Sequence, residues 1–283
     1  MKRIALLVTV SGWVFAQTPT VESIMSRVAI NQAKSQDMRA QYVYNQKQLL
    51  RMVRGSGKVA REERREYTVI PAVRGVKKEL TKFEGKYQNH NTYVPYDHPG
   101  FEYKGMDIDG AIIDGLSNDL TNDNESRDGI EHNLFPLTYH QQLRYNFRFM
   151  ATEKYRGREV YRVAFEPKRV PHLADADEGD STIWKGEALI DAAEFQPVFV
   201  NSKMAMRIPA AVRILLGTDI KGLGFAVSYE KFGEGLWFPV SYGGEFEVRG
   251  LFFYKRTMTV SLANSDFKRA DVTSNIAYAK ETQ

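Results

Sequence analysis

The sequence contains no cysteine among its 283 residues. This absence excludes disulfide frameworks, thiolate zinc sites, iron–sulfur clusters, cysteine nucleophiles and lipid attachment through a lipobox cysteine. With 10 prolines and 21 glycines, the chain is not collagen-like, and 43% hydrophobic residues with a small net charge do not describe a disordered chain. The sequence therefore predicts a folded protein whose chemistry comes from oxygen and nitrogen groups or from shape.

Long apolar runs are also scarce, and the best one stands at the start. Lys2 and Arg3 precede a short apolar stretch, and Val14 and Ala16 occupy the −3 and −1 positions of a signal-peptidase site. We expect residues 1–16 to be a cleaved signal peptide; the alternative is an N-terminal core helix. No later run approaches the roughly 18 apolar residues of a transmembrane helix, which predicts a periplasmic or secreted protein that is not integral to the membrane.

Positive charge is modest once this segment is set aside. The chain has 39 basic and 35 acidic side chains, a net charge of +4. Removing residues 1–16 takes away two basic residues and no acidic one, which halves the excess. We therefore predict no nucleic-acid partner.

The first element of the mature chain is predicted to be a helix that follows Thr20, a good N-cap residue. Apolar residues recur along one face of this helix: Val21, Ile24, Met25, Val28 and Ala29. Polar residues are expected on the opposite face: Glu22, Arg27, Asn31, Gln32 and Lys34. A helix of this pattern needs an apolar partner surface.

Beyond about residue 40 the apolar period changes to the two-residue alternation of strands. Turn residues between alternating runs predict hairpins that pair 42–53 with 59–70, 145–152 with 161–165, 183–191 with 197–207, and 225–229 with 237–240. A last, longest alternation runs from Phe246 to Leu262 with one continuously apolar face. The pattern predicts a mainly β protein with about ten mostly antiparallel strands.

Residues 88–143 break this pattern with many Asn, Asp, His, Tyr, Gly and Pro residues. A short helix is predicted at about 107–121, where apolar residues stand at four-residue spacing: Ile108, Ile112, Leu116 and Leu120. Because plain loops of this length are uncommon, we expect an insertion that covers a surface or an opening. Residues 17–283 are then predicted to form a single domain with this insertion at about 88–143.

Patterns of catalytic and metal sites are weak throughout. No two of the five histidines share the i, i+4 spacing of a helical metal pair, so a metal-dependent hydrolase would need His90, Asp97, His98 and His132 to converge in space. The acidic runs lack the spacing of a calcium loop, and the mature chain has no serine elbow. The leading prediction is therefore no enzyme, no metal and no cofactor.

A band of basic residues occupies the predicted strands at 47–65. Its members are Lys47, Arg51, Arg54, Lys58, Arg61, Arg64 and Arg65, against Glu62 and Glu63. Such a band would suit phosphate headgroups or a partner protein. The commoner explanation is a charged edge strand that prevents aggregation.

Residues 203–217 combine flexible methionines with an aliphatic cluster, a composition that suits acyl chains. The candidate lipid-binding residues in and after this segment are Met204, Met206, Ile208, Ile214, Leu215, Leu216 and Phe225. The alternative is that the segment fills the core as a helical plug.

Several strand motifs carry a resemblance to a known family. They are Trp-Lys-Gly-Glu-Ala-Leu-Ile-Asp at 184–191, Phe-Gln-Pro-Val at 195–198, Leu-Trp-Phe-Pro-Val at 236–240 and Asn-Ser-Asp-Phe at 264–267. With the exported N-terminal helix, their order resembles the outer-membrane lipoprotein-sorting (LolA/LolB-like) superfamily. The resemblance implies a curved antiparallel sheet or incomplete β-barrel, with a helical lid over an apolar cavity that carries lipoprotein acyl chains or related ligands.

Together, these features lead to two hypotheses of different classes. The first is a soluble periplasmic carrier or binder of lipidated protein or lipid, non-enzymatic, with its ligand under the 204–216 segment. The second is an envelope protein–protein interaction module whose cavity is filled and whose interface is the insertion or the basic hairpin.

Overall fold

The computed structural model describes residues 19–72, 75–103, 107–121, 137–169, 184–205, 219–221, 224–250 and 254–270. The helices in these ranges are α1 (Val21–Arg39), α2 (Ile108–Thr121) and α3 (Tyr139–Gln142). The strands are β1 (Tyr42–Arg54), β2 (Val59–Pro71), β3 (Val76–Asn89), β4 (Thr92–Tyr96), β5 (Tyr145–Tyr155), β6 (Arg158–Pro167), β7 (Trp184–Asp191), β8 (Pro197–Met204), β9 (Asp219–Lys221), β10 (Gly224–Gly233), β11 (Leu236–Gly250) and β12 (Tyr254–Arg269). The expected signal peptide lies outside the described residues.

The strands form one antiparallel sheet in the order β4-β3-β2-β1-β12-β11-β10-β8-β7-β6-β5, with β9 paired to β11. Within the described ranges no pairing joins β4 to β5, so the sheet has two ends and is not closed. This confirms the predicted fold class: mainly β, an open antiparallel sheet with an N-terminal helix and a short helical insertion. None of the described helices has the length and hydropathy needed to cross a membrane.

The four predicted hairpins are all present, as β1–β2, β5–β6, β7–β8 and β10–β11. The long alternation from Phe246 to Leu262 is not one strand, because β11 ends at Gly250 and Phe246 lies opposite Met258 on β12. An apolar alternation keeps its period on both sides of a hairpin, so the pattern alone did not reveal the turn.

Strand β3 was not predicted, and it changes the start of the insertion. Its lysine and glutamate residues, such as Lys82 and Glu84, leave little apolar alternation to detect. Residues 88–89 complete β3, and residues 92–96 form β4, so the first part of the predicted insertion belongs to the sheet. Helix α2 confirms the helix that four-residue spacing predicted at about 107–121.

Helix α1 begins after Thr20, whose side chain accepts a hydrogen bond from the Ser23 N–H at 3.3 Å. The predicted apolar face is confirmed, since Ile24 and Val28 are fully buried. The helix contacts β5 and β11, which stand five strand steps apart in the sheet. Its length of roughly 28 Å matches five steps of about 4.8 Å, so α1 runs across the strands.

A single hydrophobic core lies between the sheet and the helices. It includes residues from α1 and α2 together with residues from both halves of the sheet: Ile24, Val28, Leu50, Met52, Ile113, Val163, Ile190, Val200, Trp237 and Met258. Both helices therefore pack on the apolar side of the same sheet.

Candidate apolar binding site

A groove of about 410 Å³ opens between the N-terminal half of α1, helix α3 and the edge strand β5. Apolar and aromatic side chains line it: Val21, Met25, Tyr139, Leu143, Tyr145 and Phe147. Polar residues complete the lining: Glu22, Ser26, Gln142, Asn146 and Lys168. The groove thus combines an apolar surface with a few polar groups, which is the usual composition of a small-molecule site.

Hydrogen bonds hold the short helix α3 against α1. The Gln142 side-chain amide donates to the main-chain oxygens of Met25 at 3.0 Å and Leu137 at 3.1 Å. On the other side, the Lys168 ammonium donates to the Leu143 carbonyl at 2.8 Å. These bonds fix the backbone of the rim, and therefore the position of the side chains that it carries.

Two large apolar side chains on this rim face water. Tyr139 is 65% exposed and Leu143 is 55% exposed. They are four residues apart, so they project from neighbouring turns of the chain around α3. Beneath them, the buried ring of Tyr145 contacts Phe147 and Phe165, with centroid distances of 6.3 and 6.0 Å. An apolar ligand in the groove would rest on the edge of the core.

A second cavity, of about 520 Å³, lies at the C-terminal half of α1 and is more polar. Within it, Glu194 accepts hydrogen bonds from the Lys231 ammonium at 2.6 Å and the Trp237 indole N–H at 3.0 Å. Burial alone would raise the pKa of Glu194, but these two donors outweigh it and the pKa lies below its usual value. Because its carboxylate is already ionised and paired, this cavity suits an acyl chain less well than the groove.

The sequence-predicted lipid-binding residues are only partly within the described chain. Met204 is half-buried and packs against the core, and Phe225 is buried edge-to-face against Trp184 at a centroid distance of 5.6 Å. Neither residue lines the groove. The other candidates lie outside the described residues: Met206, Ile208, Ile214, Leu215 and Leu216. Their role stays a prediction.

Sequence reasoning missed the groove itself. Its two rim residues, Tyr139 and Leu143, stand at the end of the predicted insertion at 88–143, which was expected to cover a surface or an opening but in which no binding residue was proposed. A usable signal was the Thr138…Gln141 pair, which is a capping box around a short helix and leaves apolar residues beside it. Nothing in the pattern showed that this helix lies against α1, where Gln142 bonds Met25 from 117 positions away, because such long-range contacts leave no local periodicity.

The histidines that a metal-dependent hydrolase would need are exposed and engage their chain neighbours. His90 Nδ1 lies 2.8 Å from Asn89 Oδ1, and His98 Nδ1 lies 2.9 Å from Asp97 Oδ1. The hydrogen bond from His98 lowers the pKa of Asp97. Among the described residues no group of three or more histidine or acidic side chains is arranged to hold a metal ion. His132 lies outside those residues.

Part of the basic band is buried, which neither interpretation of the band foresaw. Strand β2 pairs with both β1 and β3, so it is not an edge strand. Arg61 and Arg65 are 1% and 3% exposed, and Glu63 between them is fully buried. The physical reason is that α2 lies over β1 and β2 and supplies counter-charges.

Buried charges link α2 to the sheet through three aspartate–arginine pairs. Asp107 bonds Arg61, Asp114 bonds Arg65 at 2.5 Å, and Asp109 bonds Arg256 at 2.9 Å. The remaining members of this cluster are Glu63, Tyr96, Tyr254, Ser117 and Gln48. We call these eleven residues the α2 ion cluster.

Glu63 is the centre of the α2 ion cluster. It accepts hydrogen bonds from Arg61 at 3.2 Å, from Arg65 at 2.9 Å and from the Tyr96 hydroxyl at 2.6 Å. Burial, followed by Glu63, raises the pKa of Tyr96, so this phenol is a hydrogen-bond donor over the normal pH range. The Tyr96 ring occupies the space that a Cβ at Gly85 would fill, which explains glycine at that position of β3.

Comparison with known proteins returns solved structures only. No protein-family model and no curated protein matches this sequence. One similar structure is a LolA superfamily protein from Nitrosomonas europaea, with 12% identity over 90% of this chain and 96% of that one, at a TM-score of 0.36. Another is a DUF1329 family protein from Desulfovibrio piger, with 13% identity over 93% of this chain and 98% of that one, also at 0.36.

The predicted resemblance to the lipoprotein-sorting superfamily is therefore also found by structure comparison. At 12% identity and a TM-score of 0.36, such likeness carries no argument about ligand or activity.

Proposed function

We propose that this chain is a soluble periplasmic carrier or binder of lipidated protein or lipid, and that it is not an enzyme. The observation that supports the proposal is the groove between α1, α3 and β5, with its exposed rim residues Tyr139 and Leu143. A volume of about 410 Å³ lies within the roughly 300–1,000 Å³ of small-molecule sites.

The lining of the groove suits a ligand with one apolar end and one polar end. Met25 and Phe147 offer an adaptable apolar floor, because the methionine side chain repacks around irregular shapes. Lys168 stands at the rim as a cation, and only one of its three donors has a described acceptor. An acyl chain with an anionic or carbonyl-bearing head matches this division.

The residues predicted from the sequence form a second part of the proposal. Met204 and Phe225 lie on β8 and β10 rather than on the groove. A photoreactive acyl probe, followed by peptide mapping of the labelled sites, separates the two locations. Labels on Met25, Tyr139 or Leu143 support the groove, and labels within 204–216 support the sequence-predicted segment.

Acyl binding is tested with the delipidated mature protein and a fluorescent fatty-acid probe. We expect Leu143→Asp to weaken probe binding by about tenfold, because it places a charge where an apolar contact is lost. The matched control is Leu80→Asp on β3, which also alters an exposed leucine but lies outside the groove. No uptake by the unaltered protein, or equal loss in both variants, contradicts the proposal.

The second candidate function is an envelope protein–protein module with a filled cavity. Tight packing of the sheet away from the groove favours it, since Val160, Val163 and Ile190 are fully buried. A module of this kind binds a protein ligand and ignores the fatty-acid probe.

The periplasmic location is tested by cell fractionation and N-terminal sequencing. We expect the mature chain to begin at Gln17 in the periplasmic fraction, because residues 14–16 carry the signal-peptidase pattern. Retention of residues 1–16 on cytoplasmic protein would remove this part of the proposal.

A further inference from the structure

The two ends of the sheet differ in how well they are protected against added strands. Strand β4 has five residues and contains Pro95, which lacks an N–H, so this edge is short and blunted. Strand β5 at the other end has eleven residues and no proline. No strand of the described chain pairs with its outer edge. Strand β5 is therefore the end of the sheet that can receive another strand.

The backbone of β5 shows which of its groups are available. The Lys168 N–H donates to the Arg144 carbonyl at 2.8 Å, which makes this pair a hydrogen-bonded pair. Such pairs alternate in antiparallel strands, so Phe147 and Phe149 turn their N–H and C=O groups away from β6. A chain lying beside β5 would find regularly spaced donors and acceptors at these positions.

The side chains beside this edge define what kind of strand fits. Tyr145 and Phe147 line the groove, and directly opposite residues in an antiparallel pair share one face of the sheet. Alternate residues of an added strand would therefore point toward the groove and the exposed Leu143. The intervening residues would lie on the outer face, next to Arg148.

Strand β5 itself carries two basic side chains, Arg148 and Lys154, and one acidic side chain, Glu153, which pairs with Arg162 of β6 at 2.8 Å. Arg148 lies on the exposed face of β5 and forms no ion pair with a described carboxylate, whereas Lys154 on the same face stands opposite Glu159 of β6. The charge of Arg148 therefore remains available to an anionic partner.

We propose that the edge of β5 is a docking site for an extended, acidic peptide segment that adds as a strand and places alternate apolar side chains over the groove. The inference shares the groove with the proposed function, but it does not require a lipid. Main-chain hydrogen bonds would supply affinity, and the groove and Arg148 would select the sequence.

The probe is a capped seven-residue peptide of alternating glutamate and leucine, labelled for fluorescence anisotropy. Methylating the backbone nitrogens of its leucines removes the donors that would face β5, and we expect this to abolish binding. Methylating the glutamate nitrogens instead is the matched control and should leave binding within about twofold, because those donors face water. Equal affinity of the two methylated peptides, or no binding of the parent peptide, overturns the proposal.

The charge requirement is tested on the protein. We expect Arg148→Glu to weaken peptide binding by about fivefold, and Arg54→Glu, an exposed arginine at the end of β1, to leave it unchanged. If Arg148→Glu instead alters binding of anionic phosphatidylglycerol vesicles and not of the peptide, the edge serves a membrane and the proposal is wrong.

The fatty-acid probe separates this inference from the proposed function. Arg148→Glu should leave fatty-acid binding unchanged, whereas Leu143→Asp should reduce binding of both probes. Peptide binding without fatty-acid uptake would overturn the carrier proposal alone, and fatty-acid uptake without peptide binding would overturn the docking site alone.

Discussion

Helices α1 and α2 pack on the same side of one sheet, yet different interactions hold them there. Helix α1 contributes an apolar face, neutral hydrogen bonds such as Gln32 to Gln196, and one buried cation, Arg39, which donates to the Trp237 carbonyl at 2.9 Å. Helix α2 also has an apolar face, with Ile113 in the core and Ile108, Ile112 and Leu116 packed against it, and it adds the aspartate–arginine pairs of the α2 ion cluster.

The difference teaches how each helix responds to the loss of one group. A neutral buried group that loses its hydrogen-bond partner costs about 1–3 kcal/mol, less than a buried charge in the same position. Buried ions are stable only when every member is paired, because a single unpaired charge carries its whole desolvation penalty. We therefore expect the loss of one charged group to disrupt all the contacts between α2 and the sheet. The loss of one group of α1 should disrupt only the contacts of that group.

The largest effect is expected from Glu63→Gln, which leaves Arg61 and Arg65 buried without their shared counter-charge. We expect the free energy of unfolding to fall by about 3–5 kcal/mol in urea denaturation. The control on the same strand is Glu66→Gln, whose carboxylate is 38% exposed and 3.9 Å from Lys47. It should cost less than about 1 kcal/mol, and similar losses in both variants would refute the role of burial.

The buried apolar face of α1 is tested by the substitution Ile24→Ala. Ile24 is fully buried, and its truncation should cost about 2–5 kcal/mol through lost contacts and an unfilled cavity. Ile30 on the same helix is 53% exposed, and Ile30→Ala should change stability by no more than about 0.5 kcal/mol. Chemical denaturation of both variants ranks them, and a large loss for Ile30→Ala would place an unrecognised contact on the outer face of α1.

The neutral hydrogen bond of α1 is tested by a double-mutant cycle on Gln32 and Gln196, which are both buried. Gln32→Leu removes the donor to the Gln196 side-chain oxygen, and Gln196→Leu removes the acceptor of the Gln32 amide, so each single change should cost about 1–3 kcal/mol. The double change removes both polar groups and should cost less than the two single changes added together. Strict additivity in the cycle would show that the two amides do not depend on each other.

Much of this fold could be predicted from the sequence, because its elements leave local patterns. The face of α1 and four hairpins follow from periods of 3.6 and two residues with turn signals between them. Gln32 was assigned to the polar face of α1, but it is buried because Gln196 meets it from a loop 164 residues away. The hydrophobic period of a helix carries no information about a hydrogen-bond partner so far away in the sequence.

The α2 ion cluster shows the same limit for charge. Arg61, Glu63 and Arg65 share one face of β2, and their pattern is that of a solvated strand. Their counter-charges come from Asp107, which directly precedes α2, and from Asp114 on α2. A strand with alternate charges is normally exposed on that face. Sequence reasoning identified the helix and the strand correctly, but the contact between them depends on how the chain returns after β4.

The smallest expected effect is a loss of stability at alkaline pH. We expect it to arise from the contacts of α2 with the sheet and not from those of α1. Burial is the largest cause of a raised pKa for both the Tyr96 and the Tyr254 phenol. A neighbouring carboxylate raises each pKa further, Glu63 for Tyr96 and Asp109 for Tyr254. The ordinary pKa of tyrosine is about 10. The two phenols therefore contribute fully to the free energy of unfolding below pH 10, and this contribution is lost as the pH rises toward the raised pKa of the folded state.

We therefore expect the thermal midpoint of the protein to fall above about pH 10, and to fall less in the Tyr96→Phe, Tyr254→Phe double variant. Gln32 and Gln196, which join α1 to the sheet, do not titrate and should give no such dependence. The same series on the Gln32→Leu, Gln196→Leu double variant is the control, and it should retain the alkaline fall of the unaltered protein. If the thermal midpoint of the phenylalanine variant falls as much as that of the unaltered protein, the alkaline sensitivity arises elsewhere. The contacts of α1 and α2 with the sheet then do not differ in their response to pH.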